Sequence, residues 1–286
     1  MSKIILSAET GSDMPAQLAA RLGVLLIPMH VSMGSETLDD GTFPPADVCA
    51  YYNRTGTVPT TSGSTPYDFQ QVYDRVFREN PHAQILHLAY SAATTCSYHS
   101  GELAIEEKTY ESRVRLVDTR HVSVGQCAVI CAMAQWLQAH PEATLEEAAA
   151  AAEDISAHTE MCFLPSNLDY LRAGGRCSNA AALVGNLLQL HPCIDILDGR
   201  LLAGKKYRGQ MTKVIPALIR DFDRKHAPVK DYLYLIHSPY LSEDVRAAAE
   251  DTVRELGYER FTWIPTGCVI TCHGGPGAFG IVGHTK

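Results

Sequence analysis

Several features are missing from this sequence of 286 residues: an apolar run of membrane-spanning length, a G-x-S-x-G nucleophile elbow, a phosphate loop and a surplus of positive charge. A bilayer-crossing helix needs about 20 consecutive apolar residues, so a transmembrane protein is excluded. The opening MSKIILSAETGSD offers only the short run Ile4 to Leu6 before polar residues, so no secretory leader is expected and the chain is placed in the cytoplasm. Lys and Arg total 24 against 32 Asp and Glu, a net charge of −8, which is the wrong sign for gripping a phosphate backbone and argues against nucleic acid as a partner. Without G-x-x-x-x-G-K-[ST] the chain has no means of cradling a nucleotide triphosphate, so it is not itself a kinase. Repeats and low-complexity tracts are absent too.

The nine cysteines are scattered. In a cytoplasmic chain that pattern reads as reduced, mostly buried thiols. Cys127 and Cys131 sit one helical turn apart among packing residues. Cys268, Cys272 and His273 would offer three soft ligands, but structural zinc takes four, usually in paired C-x-x-C or C-x-x-H sets, so no metal is expected.

What is present is a composition of 46% hydrophobic and 20% charged residues, ordinary for a globular chain. KIILSAE, VLLIPMHVSM, AQILHLAY and RVRLVDT read as strands. Between them lie helical patterns, one opening at Pro66 behind Thr65 as N-cap, with Phe69, Val72, Tyr73, Val76 and Phe77 on one face. A further long helix runs from about Val122 to Ala139. This alternation predicts a mostly parallel sheet covered on both faces, an α/β fold.

Past TLEEAAAAAEDISAHTE, with its Thr144 and Glu147 capping-box pattern, the grammar changes. MCFLP is a short strand, SNLDYLRAGGR a helix stopped by Gly174 and Gly175, and a second helix begins after Ser178. PCIDILDGRLLAGKKYRG is a hairpin turning at Asp198 and Gly199. The expected organisation is an N-terminal α/β domain over 1–157 and a C-terminal α+β domain over 158–286.

Three stretches are rich in hydroxyls: ETGSD (9 to 13), PTTSGST (59 to 65) and YSAATTCSYHS (90 to 100). Each alone reads equally well as N-caps for the next helix. Converging at the carboxyl ends of parallel strands, where ligands of open α/β sheets bind, they would form a neutral hydrogen-bonding site for a carboxylate or phosphate. A hydrolase could also be assembled from Ser91 or Thr95 with His273 and Asp118, or from Ser91 or Cys96 with His273, but nothing in the sequence supplies an activating base geometry. Asp118 reads mainly as a stabiliser of the turn after its strand.

TCHGGPGAFG, residues 271 to 280, spaces Gly275, Gly277 and Gly280 as a dinucleotide fingerprint would. Too few residues follow for the helix and strand that such a site requires. Two readings stay open. One is a tight Gly-Pro-Gly turn into an edge strand, and the other is His273 held by glycine backbone against a small anion.

Together ETGSDMP, PTTSGSTPYDF, RLVDTRHVSVGQ, LDYLRAGGRCSNAAALVGNLLQLHPCI, GRLLAGKKYRG and HGGPGAFG resemble, in order and spacing, the DegV family of bacterial fatty-acid-binding proteins, over essentially the whole chain. The resemblance implies a two-domain DegV-like α/β fold holding a long-chain fatty acid in an apolar tunnel with its carboxylate between the domains. It places that carboxylate at Thr61, with Ser62 beside it, Thr95 and His273, and makes Ser91, Gly274 and Gly275 supporting loop residues. It assigns Arg176 and Arg208 to a surface facing a partner kinase or incoming phosphate. It further implies no catalytic residues of the chain's own and no cofactor beyond the bound lipid. The implied partner is the catalytic subunit of fatty acid kinase, which phosphorylates the carboxylate for lipid synthesis, with only transient membrane contact. Where the family has S-S-x-L-S-G-T-Y this chain has SAATTCSY, with Ala92, Thr94 and Cys96 at the changed positions. The more hydroxylated pocket this implies would suit a shorter or more polar acid. Alternatives are a carrier or sensor of another carboxylic acid, or a Ser/Cys-His acyl hydrolase.

Overall fold

A computed structural model describes residues 3–166, 168–177 and 190–286. The first part is built around four parallel strands in the order β2-β1-β6-β7: β1 (Ile4–Glu9), β2 (Leu25–Ile27), β6 (Gln84–Ala89) and β7 (Val114–Asp118). Their sequences are largely apolar because both faces are covered. Leu6, Ala8, Leu86, Leu88 and Val117 point into one core, shared with α1 (Ala16–Leu22), α5 (Ser123–Ala139) and α6 (Leu145–Ala157). Ile85 and Val114 point into another, with the apolar face of α3 (Pro66–Glu79) and Ala104 of α4 (Ser97–Lys108).

The stretch expected as one strand, VLLIPMHVSM, is broken. Pro28 has no amide to donate to a ladder, and the chain leaves the parallel sheet there to form β3 (His30–Met33). With β4 (Glu36–Asp39) and β5 (Thr60–Ser62) it makes a small antiparallel sheet in the order β4-β3-β5. Between β4 and β5 runs α2 (Pro45–Thr55). His30 bridges Asp39 Oδ1 at 2.9 Å and Asp68 Oδ2 at 3.0 Å, tying this sheet to the capping box that Thr65 and Asp68 form at the start of α3.

The second sheet has six strands in the order β10-β9-β8-β13-β11-β12: β8 (Thr159–Leu164), β9 (Leu190–Leu197), β10 (Arg200–Arg208), β11 (Leu233–His237), β12 (Phe261–Pro265) and β13 (Phe279–His284). The β9-β10 hairpin turns at Asp198 and Gly199, both at positive φ, as its Asp-Gly pair predicts. One face packs against α8 (Met211–His226) and α9 (Glu243–Glu255). The other gives Ile194, Ile236 and Val282 to the same core as α5. Buried along most of its length, α5 thus lies between the two sheets and serves both, which explains a sequence without a polar stripe. The helix expected after Ser178 lies outside the described residues. The closing strand is not at an edge: β13 lies between β8 and β11, antiparallel to both.

Candidate ligand-binding site

Between the two sheets lies a cavity, open at one side and mostly apolar. Its apolar wall includes Met161 and Phe163 of β8, Ile236 of β11, Leu201 of β10, and Val269 and Ile270 of α10 (Cys268–Gly274). Thr61, Ser62 and Gly63 line it from β5 and the residue after it, Thr94 and Thr95 from the loop before α4, and His273, Gly274 and Arg176 from the second half. The sequence-based candidates Thr61, Ser62, Thr95, His273 and Gly274 therefore meet at one cavity.

The polar contacts are specific. His273 Nε2 and Thr61 Oγ1 are 2.9 Å apart. Gly63 lets the two hydroxyl loops touch, since a Cβ there would stand 2.7 Å from Thr95 Oγ1 and 2.6 Å from Ser97 Oγ. Ser97 Oγ accepts from the Ser64 amide at 3.0 Å and shares a hydrogen bond of 3.2 Å with Thr95 Oγ1. His273 stands on the last turn of α10, and Gly174 opposite makes room for it, because a Cβ at Gly174 would lie 2.2 Å from His273 Nδ1. Gly275, at φ 71°, ends α10 and packs beneath the Tyr170 ring.

Burial and the neighbouring Arg176 guanidinium hold His273 down to about 4, so it is neutral at pH 7. Its Nδ1 is buried and has no hydrogen-bond partner among the described residues. A buried N–H without an acceptor is the rarer and costlier state. The proton therefore belongs on Nε2, which donates to Thr61 Oγ1 and leaves the Thr61 hydroxyl hydrogen free for a ligand. Arg176 is exposed at the cavity rim, its Nη1 donating to the Gly174 carbonyl at 2.6 Å. The site thus combines a neutral donor row with one cation at its edge, suited to an anionic head group.

Arg208 does not join them. It ends β10 in an exposed position, paired in register with Leu190, and does not line the cavity. Ser91 supports the loop from behind. Its buried hydroxyl donates to the Gly199 carbonyl at 2.8 Å, fastening the loop to the turn of the β9-β10 hairpin. Asp118 accepts from the Arg120 amide at 2.9 Å and the Ala92 amide at 3.3 Å, the turn-stabilising role expected of it.

The loop 9 to 13 does not line the cavity, unlike the other two hydroxyl stretches. It holds the residues that do. Glu9 Oε2 accepts from the Tyr90 amide at 2.9 Å and from Gln126 at 2.8 Å, Thr10 Oγ1 accepts from the Met29 amide at 3.0 Å, and Asp13 bonds Ser123 and the Gly267 amide. Burial raises Asp13 well above the carboxylate range, against the lowering effect of those two bonds. Met29, Tyr90 and Ser123, which do line the cavity, were missed by sequence reasoning. Ser123 sits at φ 50°, a conformation that no local sequence signal announces.

A family model described as an uncharacterised protein of the DegV family matches residues 3–286. A protein of Thermotoga maritima named fatty acid-binding protein is 30% identical over 285 residues, covering 97% of this chain and 96% of the relative. A DegV domain-containing protein of Deinococcus radiodurans is 28% identical over 285 residues, 98% of each chain. Among solved structures, a fatty-acid-binding DegV family protein from Thermus thermophilus superimposes with a TM-score of 0.87 at 28% identity, over 99% of this chain and 100% of the other. A hypothetical protein from Thermotoga maritima, described as revealing a fatty acid binding function, gives 0.83 at 27% identity over 100% of both chains. This chain is a member of the DegV family.

Proposed function

We propose that this chain binds a long-chain fatty acid, with the acyl chain in the cavity between the sheets and the carboxylate at Thr61, Ser62 and Thr95. The observation that carries the reading is the Thr61–His273 pair at the polar side of an otherwise apolar cavity. Each buried methylene contributes about 0.8 kcal/mol, so hexadecanoate gains roughly 10 kcal/mol gross before ordering costs. Neutral donors then set the register of the carboxylate and add about 1 to 2 kcal/mol, a small share beside the tail.

In this reading the chain performs no chemistry. It presents the carboxylate to the catalytic subunit of a fatty acid kinase, which forms the acyl phosphate, and Arg176 at the rim faces the incoming phosphate. Reconstitution with such a kinase subunit, ATP and hexadecanoate tests this. The expected outcome is acyl phosphate formation that depends on this chain and is weakened by Thr61→Ala more than fatty acid retention is. Equal loss of both in a folded variant would refute that division of labour.

A further inference from the structure

The helix that carries His273 cannot hold itself in place. With seven residues, α10 is too short to be stable alone, and its N-cap is Gly267, which has no side chain to satisfy the first amides. Those amides are bonded from the other half of the molecule. The Gly267 amide donates to Asp13 Oδ1 at 2.7 Å, the Cys268 amide to Asp40 Oδ1 at 2.8 Å and the Val269 amide to the same oxygen at 3.3 Å. The partners are 254 and 228 residues away in sequence for the first two of these bonds. The second oxygen of Asp13 accepts from the Ser123 hydroxyl, so one carboxyl group joins the starts of α5 and α10, whose first turns both border the cavity.

Both carboxylates are 5% exposed, and the donors that meet them are all neutral. Burial raises Asp13 well above, and Asp40 above, the ordinary carboxylate value, while the amides at the start of α10 act in the opposite direction by bonding the carboxyl oxygens. Gly267 leaves room for the two side chains, since a Cβ there would stand in tight contact, 3.1 Å from an oxygen of each. Asp40 directly follows β4, in the small sheet whose β5 carries Thr61. One three-stranded sheet thus holds both the hydroxyl of the site and a carboxylate fixing the helix of its histidine.

We propose that Asp13 and Asp40 are positioning residues for the head-group site, tying α10 to the N-terminal half so that His273 reaches Thr61. This rests on the reading of Thr61 as the carboxylate contact, and two measurements separate the two ideas. The first needs no ligand: the nuclear Overhauser contact between the His273 ring and the Thr61 side chain should be present in the wild-type chain and in Asp40→Asn, which keeps the accepting oxygen, and lost in Asp40→Ala. Persistence of that contact in Asp40→Ala would overturn the proposal. Should Asp40→Ala not fold, Asp13→Asn, which keeps one accepting oxygen, and Asp13→Ser, whose shorter side chain cannot span both helices, provide the same comparison.

The second measurement compares hexadecanoate with hexadecanol, which share a tail and differ in head group. In Asp40→Ala the affinity for hexadecanoate should fall about tenfold, the size of one lost hydrogen bond to a charged group, while that for hexadecanol stays within about twofold. Equal losses for both lipids would mean that the pair serves only general stability, and the proposal would fail. If instead the wild-type chain binds neither lipid, the fatty acid reading fails, and the ring contact alone decides whether the two aspartates position His273.

Discussion

His273 Nε2 meets Thr61 Oγ1 at 2.9 Å across 212 residues of sequence, and this bond fixes which way the threonine hydroxyl points. If the imidazole donates, the hydroxyl must donate onward into the cavity. Thr61→Val keeps the shape and removes the donor, and is expected to weaken hexadecanoate binding by about 1 to 2 kcal/mol, with fold stability lowered by about 1 to 3 kcal/mol because His273 Nε2 loses its acceptor. Calorimetric titration of the delipidated variant checks this. Unchanged affinity would show that the carboxylate lies elsewhere.

The same burial sets a pH dependence. The His273 imidazole is held at about 4 in the fold, against about 6.5 when unfolded. Between those values the unfolded chain binds the additional proton, so this residue's contribution to stability is complete above pH 6.5 and is lost progressively as the pH falls towards 4. A carbon-detected titration of the ring should show no protonation at pH 6. Urea denaturation should show a shallower decline from pH 6.5 to 5 for His273→Asn than for the wild-type chain. A ring titrating near pH 6.5 would contradict the dry, unpartnered environment of Nδ1.

Gly280, the last glycine of the terminal motif, has a reason unrelated to nucleotides. It is the second residue of β13 and lines the cavity, opposite Ile236 on one side and Phe163 on the other. A Cβ there would stand 2.9 Å from Ile236 Cδ1 and 3.2 Å from Phe163 Cβ. Gly280→Val should therefore push both side chains into the cavity, cost about 1 to 3 kcal/mol of stability and shift binding towards shorter acyl chains. A series of saturated acids from ten to eighteen carbons, roughly the range the hydrophobic gain per methylene resolves, measures this. An unchanged chain-length profile would remove Gly280 from the cavity floor.

Ser91 gives a contrasting expectation. Its hydroxyl is spent on the Gly199 carbonyl and is buried, which leaves it poorly placed as a nucleophile. Ser91→Ala should lower stability by about 1 kcal/mol through the lost tether and leave hexadecanoate affinity within about twofold. Labelling of Ser91 by a serine-directed acyl probe would instead revive hydrolysis.

Much of the architecture was legible because local and tertiary signals agree. The strand-helix alternation, the N-cap at Thr65, the capping box at Thr144 and the Asp-Gly hairpin all appear where the residues place them. Thr61, Thr95 and His273 were legible through their motifs, and the cavity brings them together. The misses share a physical cause. Strand β13 ends the sequence yet sits within a sheet, and the cap of α10 comes from Asp13 and Asp40, because long-range pairing leaves no periodic trace. The loop 9 to 13 looks like the other hydroxyl loops in composition, and only its bonds to Tyr90, Met29 and Ser123 show that it braces the cavity from outside.

The first measurement to make is the identity of any small molecule that accompanies the purified chain, released by denaturation and quantified by mass spectrometry against protein. The expected result is a stoichiometric long-chain fatty acid. A chain that yields none, and that in its delipidated form fails to take up hexadecanoate, would contradict fatty acid binding at the Thr61–His273 site.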